Sequence, residues 1–237
     1  LAEFKTLVLR SSGSYETNIC KFIHLTTLIV DKGEWTEITN DILLNTHLIE
    51  LIINNCRIKV INKNIDLLEK LKVFALNNNA IGIIPHCVYN MINLNSLSLD
   101  ENNIQMISLK INNLTNLTYL SLKNNNLTNL PKSLWIHPSL EYLDVSCNKI
   151  SNINLPENFV VISSLIVLKM SGNKLTSLPE CFCNLTTIEQ LELDGNKFTN
   201  SGLGFIKKLI NLQDLSLTCN LITNFTQLTT NHVNLLS

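Results

Sequence analysis

Charge is scarce in this chain of 237 residues: Asp, Glu, Lys and Arg make up 16% of it, and the formal net charge is -1. Nucleic-acid binding draws on clustered Lys and Arg to neutralise phosphates, so a near-neutral chain argues against it. Long apolar runs are missing too, none approaching the roughly 18 residues of a membrane span. The N-terminus lacks the charged, apolar and small-residue segments of a signal peptide. Nucleophile motifs are absent: His24, His47, His86, His137 and His232 stand apart from one another, none spaced with a cysteine, serine or carboxylate for that chemistry. Carboxylates are equally scattered, so the expectation is no enzyme, no cofactor and no metal. The seven cysteines (Cys20, Cys56, Cys87, Cys147, Cys181, Cys183 and Cys219) are odd in number and dispersed, which fits a reducing compartment better than a disulfide framework. Cys181-Phe182-Cys183 lacks the CxxC spacing of common zinc sites and has no further pair of ligands beside it.

What the chain has in excess is asparagine, 35 residues, against a background that is 45% hydrophobic. The positions explain part of the excess. The stretch NLTYLSLKNNNLTNLP, residues 116–131, has leucines at 117, 120, 122, 127 and 130, a spacing that fits neither a helix nor a simple strand. Written as L-x-x-L-x-L-x-x-N-x-L, the frame fits at Leu48, Leu71, Leu94, Leu117 and Leu140, each 23 residues after the last. It continues at Leu165, Ile188 and Leu212, and weaker copies start at Phe4 and Leu25. The expectation is one domain over residues 1–237 of about ten repeats, starting near 4, 25, 48, 71, 94, 117, 140, 165, 188 and 212. The chain starts at Leu1 and its last segment, HVNLLS, opens a further copy, so a longer parent protein is expected.

One slot of the frame holds Asn79, Asn102, Asn125, Asn148, Asn173, Asn196 and Asn220, with Cys56 in the third repeat and Ser12 and Gly33 in the first two. A buried amide there can serve main-chain groups that lose their partners where the chain turns off a strand, so these asparagines read as a structural ladder. Asn77 and Asn78 fall outside the slot and read as composition, and Cys147 and Cys219, just before it, as packing residues.

The frame resembles that of the leucine-rich repeat family. The resemblance implies an α/β leucine-rich repeat solenoid, a curved horseshoe with a parallel β-sheet on its concave face and short helical, 3-10 or irregular returns on its convex face. The returns IIPHCVYNMINL (83–94), NLPKSLWIHPSL (129–140) and SLPECFCNLTTI (177–188) share a Leu/Ile-Pro followed by an apolar residue three later, directing Val88, Leu134 and Phe182 inward. That LPxxL-like return is similar to the intracellular class of Scribble-type and Ras-pathway scaffold proteins. KFTNSGLGFIKKLINL (197–212) is more similar to ribonuclease-inhibitor-type helical returns, and its Gly202 and Gly204 read as turn residues.

Alternation along LTYLSL turns residues 120 and 122 into the core and Tyr119, Ser121 and Lys123 outward. The outward columns expose Val8, Ile29, Ile52 and Val73 as an apolar stripe. From Asp100 onward they become charged, with Tyr119 and Tyr142 among Lys123, Asp144, Lys169 and Glu192. Rigid aromatics amid mixed charge suit a protein contact, so the partner-binding residues are expected to be Asp100, Tyr119, Lys123, Tyr142, Asp144, Lys169 and Glu192. The function expected is a protein-interaction module of scaffold or adaptor type, taking a protein partner and no nucleic acid, with no membrane span in this segment. An extracellular recognition receptor, or the targeting segment of a larger enzyme or bacterial effector, is the alternative. Sequons at Asn113, Asn116, Asn126, Asn184 and Asn224 point outside the cell, but four read NLT, which the repeat frame supplies by itself. With the cysteines, the balance favours the cytoplasm.

Overall fold

A computed structural model describes residues 4–10, 19–153, 155 and 164–224, together with the backbone of residues 234–235. The chain divides into two compact units, Leu1–Gln105 with Asn113–Leu122, and Met106–Asn112 with Lys123–Ser237. Each is built from parallel strands joined by return segments.

In the first unit β1 (Thr6–Arg10), β2 (Thr27–Asp31), β3 (Glu50–Asn54), β4 (Val73–Ala75), β5 (Ser96–Ser98) and β6 (Tyr119–Ser121) pair side by side in chain order, all parallel. The register follows the repeat frame: Thr6 faces Thr27, Thr27 faces Glu50, and the column runs through Val73 and Ser96 to Tyr119. The first three strands are five residues long and the next three only three. Composition accounts for the difference: TLVLR, TLIVD and ELIIN carry β-branched residues at the positions where SLS and YLS carry serine. Three apolar columns form the core: Leu25, Leu48, Leu71, Leu94 and Leu117; Leu28, Leu51, Phe74, Leu97 and Leu120; Val30, Ile53, Leu76, Leu99 and Leu122. Every one is 2% exposed or less. A single turn of this chain cannot close such a core, and only its neighbours above and below do so.

The second unit repeats the plan with β7 (Tyr142–Asp144), β8 (Val167–Lys169), β9 (Gln190–Glu192) and β10 (Asp214–Ser216), again parallel and in register. The segment HVNLLS does open another strand, β11 (Asn234–Leu235), which pairs with β10. Ser12, expected in the asparagine slot of the first repeat, lies outside the described residues.

The returns carry short 3-10 turns at His86–Asn90, Lys132–Ile136 and Glu180–Asn184, each directly preceded by a proline, Pro85, Pro131 and Pro179. Proline suits that position because its missing N–H has no helical partner to lose. Val88, Leu134 and Phe182 are buried as the spacing requires, and Trp135 packs on Phe182 with ring centroids 4.8 Å apart. The return after β9 is a nine-residue 3-10 helix, Asn200–Lys208. Gly202 and Gly204 lie inside it rather than at turns, and close packing requires only the first: a Cβ on Gly202 would sit 2.5 Å from the Thr176 carbonyl oxygen, whereas one on Gly204 meets nothing within 4 Å.

Candidate functional site

Polar side chains that bond to the main chain decide which others are left for a partner. Asn102 accepts the Ile81 N–H at 3.0 Å and donates to the carbonyls of Leu76 (2.9 Å), Leu99 (3.1 Å) and Asp100 (3.0 Å). It thus bonds both its own repeat and the one before. Asn79, Asn173, Asn196 and Asn220 repeat the pattern, accepting from Ile58, Ile150, Leu175 and Phe198. Their amides donate across to Ile53, Val145, Met170 and Leu193. Asn148 accepts from Leu127 and donates to Val145 and Ser146, and Asn125 donates to Lys123. Cys56 occupies the same slot with a weaker contact, its Sγ 3.2 Å from the Asn54 carbonyl, and burial pushes its thiol above the ordinary pKa.

The residue just before the slot has positive φ at Lys32, Asn55, Asn78, Glu101, Asn124, Cys147 and Cys219, and at Gly172 and Gly195. Cys147 and Cys219 are therefore exposed corner residues and not packing residues. Asn78 belongs to a surface row in which its amide donates to Asn55 Oδ1 and Asn55 donates to Asp31, both at 2.7 Å. Asn77 is structural as well. Its N–H donates to Asn54 Oδ1, and its own Oδ1 accepts the Asp100 N–H and the Ser98 hydroxyl, all at 2.8 Å. Neither residue is an accident of composition.

The middle outward column is covered in the centre of the chain. Ala75 and Ser98 are each 8% exposed and Ser121 only 1%, because short side chains sit below the tops of their neighbours. Ser121 donates to Asp100 Oδ1 at 2.5 Å, which ties Asp100 into the same polar row. Asp144 is also withdrawn: it is 7% exposed, and its carboxylate accepts the Ser146 N–H at 2.8 Å. The apolar stripe is graded, with Val8 44% exposed and Ile29, Ile52 and Val73 half-buried.

Of the seven expected contact residues, Asp100 and Tyr119 belong to the first unit and the other five to the second. Tyr119 is half-buried and in register with Ser96. In the second unit Lys123 is exposed, while Tyr142, Lys169 and Glu192 come together on adjacent strands. Lys169 Nζ lies 2.8 Å from Glu192 Oε1 and 6.0 Å from the centroid of the Tyr142 ring. Gln190 donates to the same Glu192 oxygen at 2.8 Å. Beside this patch a cleft of about 270 Å³ is lined by Gln190, Glu192, Asp194, Asp214 and Ser216 over the backbones of Leu191 and Leu215. Gln190 and Asp214 extend the expected set, and the signal for them was already in the outward columns, one position before Glu192 and Ser216 in the alternation. Asp194 is spent on the main chain, accepting the Thr218 N–H at 2.6 Å.

Among the described residues no group of three or more His, Cys, Asp or Glu is gathered to hold a metal, and no helix is long and apolar enough to cross a membrane. Cys181 and Cys183 are half-buried on either side of buried Phe182, and burial pushes the Cys181 thiol up. His137 is a core residue, its Nδ1 accepting the Ser139 and Leu140 N–H groups.

A family model described as a leucine-rich repeat region matches residues 100–236. The chain belongs to the leucine-rich repeat family. Solved leucine-rich repeat structures agree with it in fold. A Leptospira interrogans leucine-rich repeat protein is 28% identical with a TM-score of 0.83, covering 91% of this chain and 56% of its own. The ectodomain of the Arabidopsis thaliana membrane receptor kinase GASSHO1/SCHENGEN3, solved in complex with CASPARIAN STRIP INTEGRITY FACTOR 2, is 28% identical with a TM-score of 0.76, covering 93% of this chain and 27% of its own. An internalin, InlF of Listeria monocytogenes, is 21% identical with a TM-score of 0.61, covering 93% and 78%, a likeness of fold alone. This leucine-rich repeat chain thus spans little more than half of the Leptospira protein and about a quarter of the plant ectodomain. No curated protein matches it in sequence.

Proposed function

We propose that this leucine-rich repeat chain docks a protein partner on the strand face of its second unit and performs no chemistry of its own. One observation carries the reading: Tyr142, Lys169 and Glu192 cluster on adjacent strands beside a cleft, with Lys169 paired to Glu192 and lying over the Tyr142 ring. A half-buried tyrosine under a lysine offers area and charge at small entropic cost, the combination that concentrates binding energy in protein interfaces. The plant ectodomain, which is similar in fold, is named in complex with CASPARIAN STRIP INTEGRITY FACTOR 2. The test is affinity capture from the native host with wild type beside Tyr142→Ala/Lys169→Ala, the retained proteins then remeasured one by one in purified form. The reading expects at least one purified protein to bind wild type and lose at least tenfold in affinity with the double variant. Equal affinity for every captured protein refutes it.

The finer reading is an intracellular scaffold of the LPxxL type. It is supported by the three Pro-led returns and by seven cysteines, none bonded to another. Mass measurement without reductant should then find seven free thiols. The extracellular reading, favoured by exposed sequon residues Asn113, Asn116 and Asn184, replaces it if native protein carries glycans or paired cysteines.

A further inference from the structure

The position just before the first core leucine of a repeat has a structural duty in several copies. Asn93 and Asn116 donate their amides to the Glu69 and Ile92 carbonyls at 2.9 Å. Ser164 and Thr187 donate hydroxyls to Leu140 and Leu165, and Asn211 its amide to Thr186. Each of these bonds ties one repeat to the one before it. Three consecutive repeats of the first unit depart from the rule, with His24, His47 and Lys70 at this position. Among the described residues none of the three makes a main-chain hydrogen bond through its side chain. Instead Lys70 Nζ lies 3.1 Å from His47 Nδ1. With the ammonium as donor, Nδ1 is the acceptor and the ring proton sits on Nε2, so the ring keeps a donor of its own.

His24 and His47 also line an open cleft of about 460 Å³ together with Lys5 and Thr26. Thr26 is engaged with the Lys5 carbonyl at 3.0 Å, which leaves His24, His47 and Lys5 as the described lining residues whose side-chain donors are open to a ligand. Among the described residues no carboxylate lines it, and Glu69, the chain neighbour of Lys70, is not one of its lining residues. Side chains with donors therefore line one cleft from two successive repeats, with Lys70 of the next repeat against the His47 ring, at a place where this fold elsewhere uses neutral amides and hydroxyls to hold itself together. A ligand matched to several convergent donors is an anion with several acceptor oxygens. The cleft is larger than a bare tetrahedral ion, so it has room for the group such an ion esterifies.

We propose that this cleft of the first unit binds a phosphate monoester through its oxyanion, with Lys5, His24 and His47 as contacts and Lys70 orienting the His47 ring. The inference is independent of partner docking on the second unit. The first probe is inorganic phosphate, titrated against chloride at constant ionic strength and read from the ring resonances of His24 and His47. Saturable shifts with phosphate and none with chloride are expected. Lys5→Ala should weaken binding about fivefold, the loss of one exposed charge contact. Lys70→Ala should change the His47 tautomer signature as well as the affinity, which a merely electrostatic lysine would not do. Lys149→Ala, an exposed lysine of the second unit, should change neither. Glycerol phosphate and vesicles containing phosphatidic acid then separate a soluble ester from a lipid headgroup, phosphatidylcholine vesicles being the blank. Equal shifts with phosphate and chloride overturn the proposal. So does unchanged phosphate affinity in the Lys5→Ala/Lys70→Ala double variant; both lysines are exposed, and circular dichroism checks that the fold is retained.

Discussion

Replacing Asn102 by alanine removes one side chain and strands a buried N–H in the repeat before it. Its Oδ1 is the partner of the Ile81 N–H, and its Nδ2 is shared among the Leu76, Leu99 and Asp100 carbonyls. Ile81, Leu76 and Leu99 are each 0% exposed, so water cannot take over without opening the turn. The stranded Ile81 N–H costs about 1–3 kcal/mol, and little is added at the carbonyls, since Leu76 still accepts from Asn79 Nδ2 and Asp100 from the Asn78 N–H. Urea denaturation gives the global loss, and hydrogen exchange at the Ile81 amide gives the local one, faster by about thirtyfold for 2 kcal/mol. Asn103→Ala is the control: that side chain is exposed and makes no hydrogen bond, so its loss should stay within about 0.5 kcal/mol. Asn102→Asp adds a diagnostic. It keeps an acceptor for Ile81 but turns a charge toward three carbonyls, which raises its folded-state pKa above the unfolded value. A raised pKa means the deficit is smallest below about pH 4 and grows as pH rises through the folded-state value. A loss under about 1 kcal/mol for Asn102→Ala, or an Asp variant indifferent to acid, would refute the view that these amides hold the turns.

Glu101 sits at φ 55°, a left-handed conformation that costs a non-glycine residue about 1–2 kcal/mol and asparagine less. Glu101→Asn should therefore stabilise the chain by about 0.5–1 kcal/mol, seen as a rise of a few degrees in Tm. Gly202 and Gly204 should respond oppositely to alanine. A Cβ at Gly202 meets the Thr176 carbonyl oxygen at 2.5 Å, whereas one at Gly204 meets nothing within 4 Å, so thermal melting should show a clear loss for the first and no loss for the second. Timed alkylation followed by mass spectrometry should modify exposed Cys147 and Cys219 first and buried Cys87 last. Burial raises the Cys87 pKa, and the acid side chain of Asp66 adds to the shift. A thiol raised in the fold favours the native state below the unfolded pKa and loses that contribution as pH climbs through the folded one, so the gap between Cys87 and Cys147 should narrow only in alkali.

The parts of the fold that were legible in the sequence are those where one side chain does the same job in each turn of the chain. Leu117, Leu120 and Leu122 recur because the core has one shape, and Asn102 or Asn196 recurs because one amide can serve both an N–H and a carbonyl. The left-handed corner was not legible. Lys32, Asn78, Glu101, Cys147 and Gly172 share a backbone conformation but no side-chain chemistry, since the corner is exposed and the tight turn around it sets φ. Alternation alone also misjudged Ser121 and Asp144. It gives the side of the sheet a residue faces but not its height, and a short side chain beside longer ones is covered even on the open face. Asn77 was misread for a related reason: its partners, Asn54 and Asp100, lie 23 residues away in either direction and share no one residue type that would mark the position as a slot.

The polar residues of the strand face separate by what their bonds close upon. Asn77, Asp144 and Asp194 accept main-chain N–H groups at the ends of strands, and a partner that took those oxygens would strand a backbone donor at about 1–3 kcal/mol. Lys169, Glu192 and Gln190 bond to one another, with the lysine and glutamate side chains 24% and 27% exposed. An ion pair so open to water is worth at most about 1 kcal/mol, so an incoming charged group can replace either half at little cost to the fold. That asymmetry makes the Tyr142–Lys169–Glu192 patch suited to binding in a way that Asp144, two residues from Tyr142, is not. It also sets a quantitative condition. Lys169→Ala should lower stability by less than about 1 kcal/mol while weakening a true partner by more than that, and a variant in which stability falls further than affinity would assign Lys169 to the fold instead.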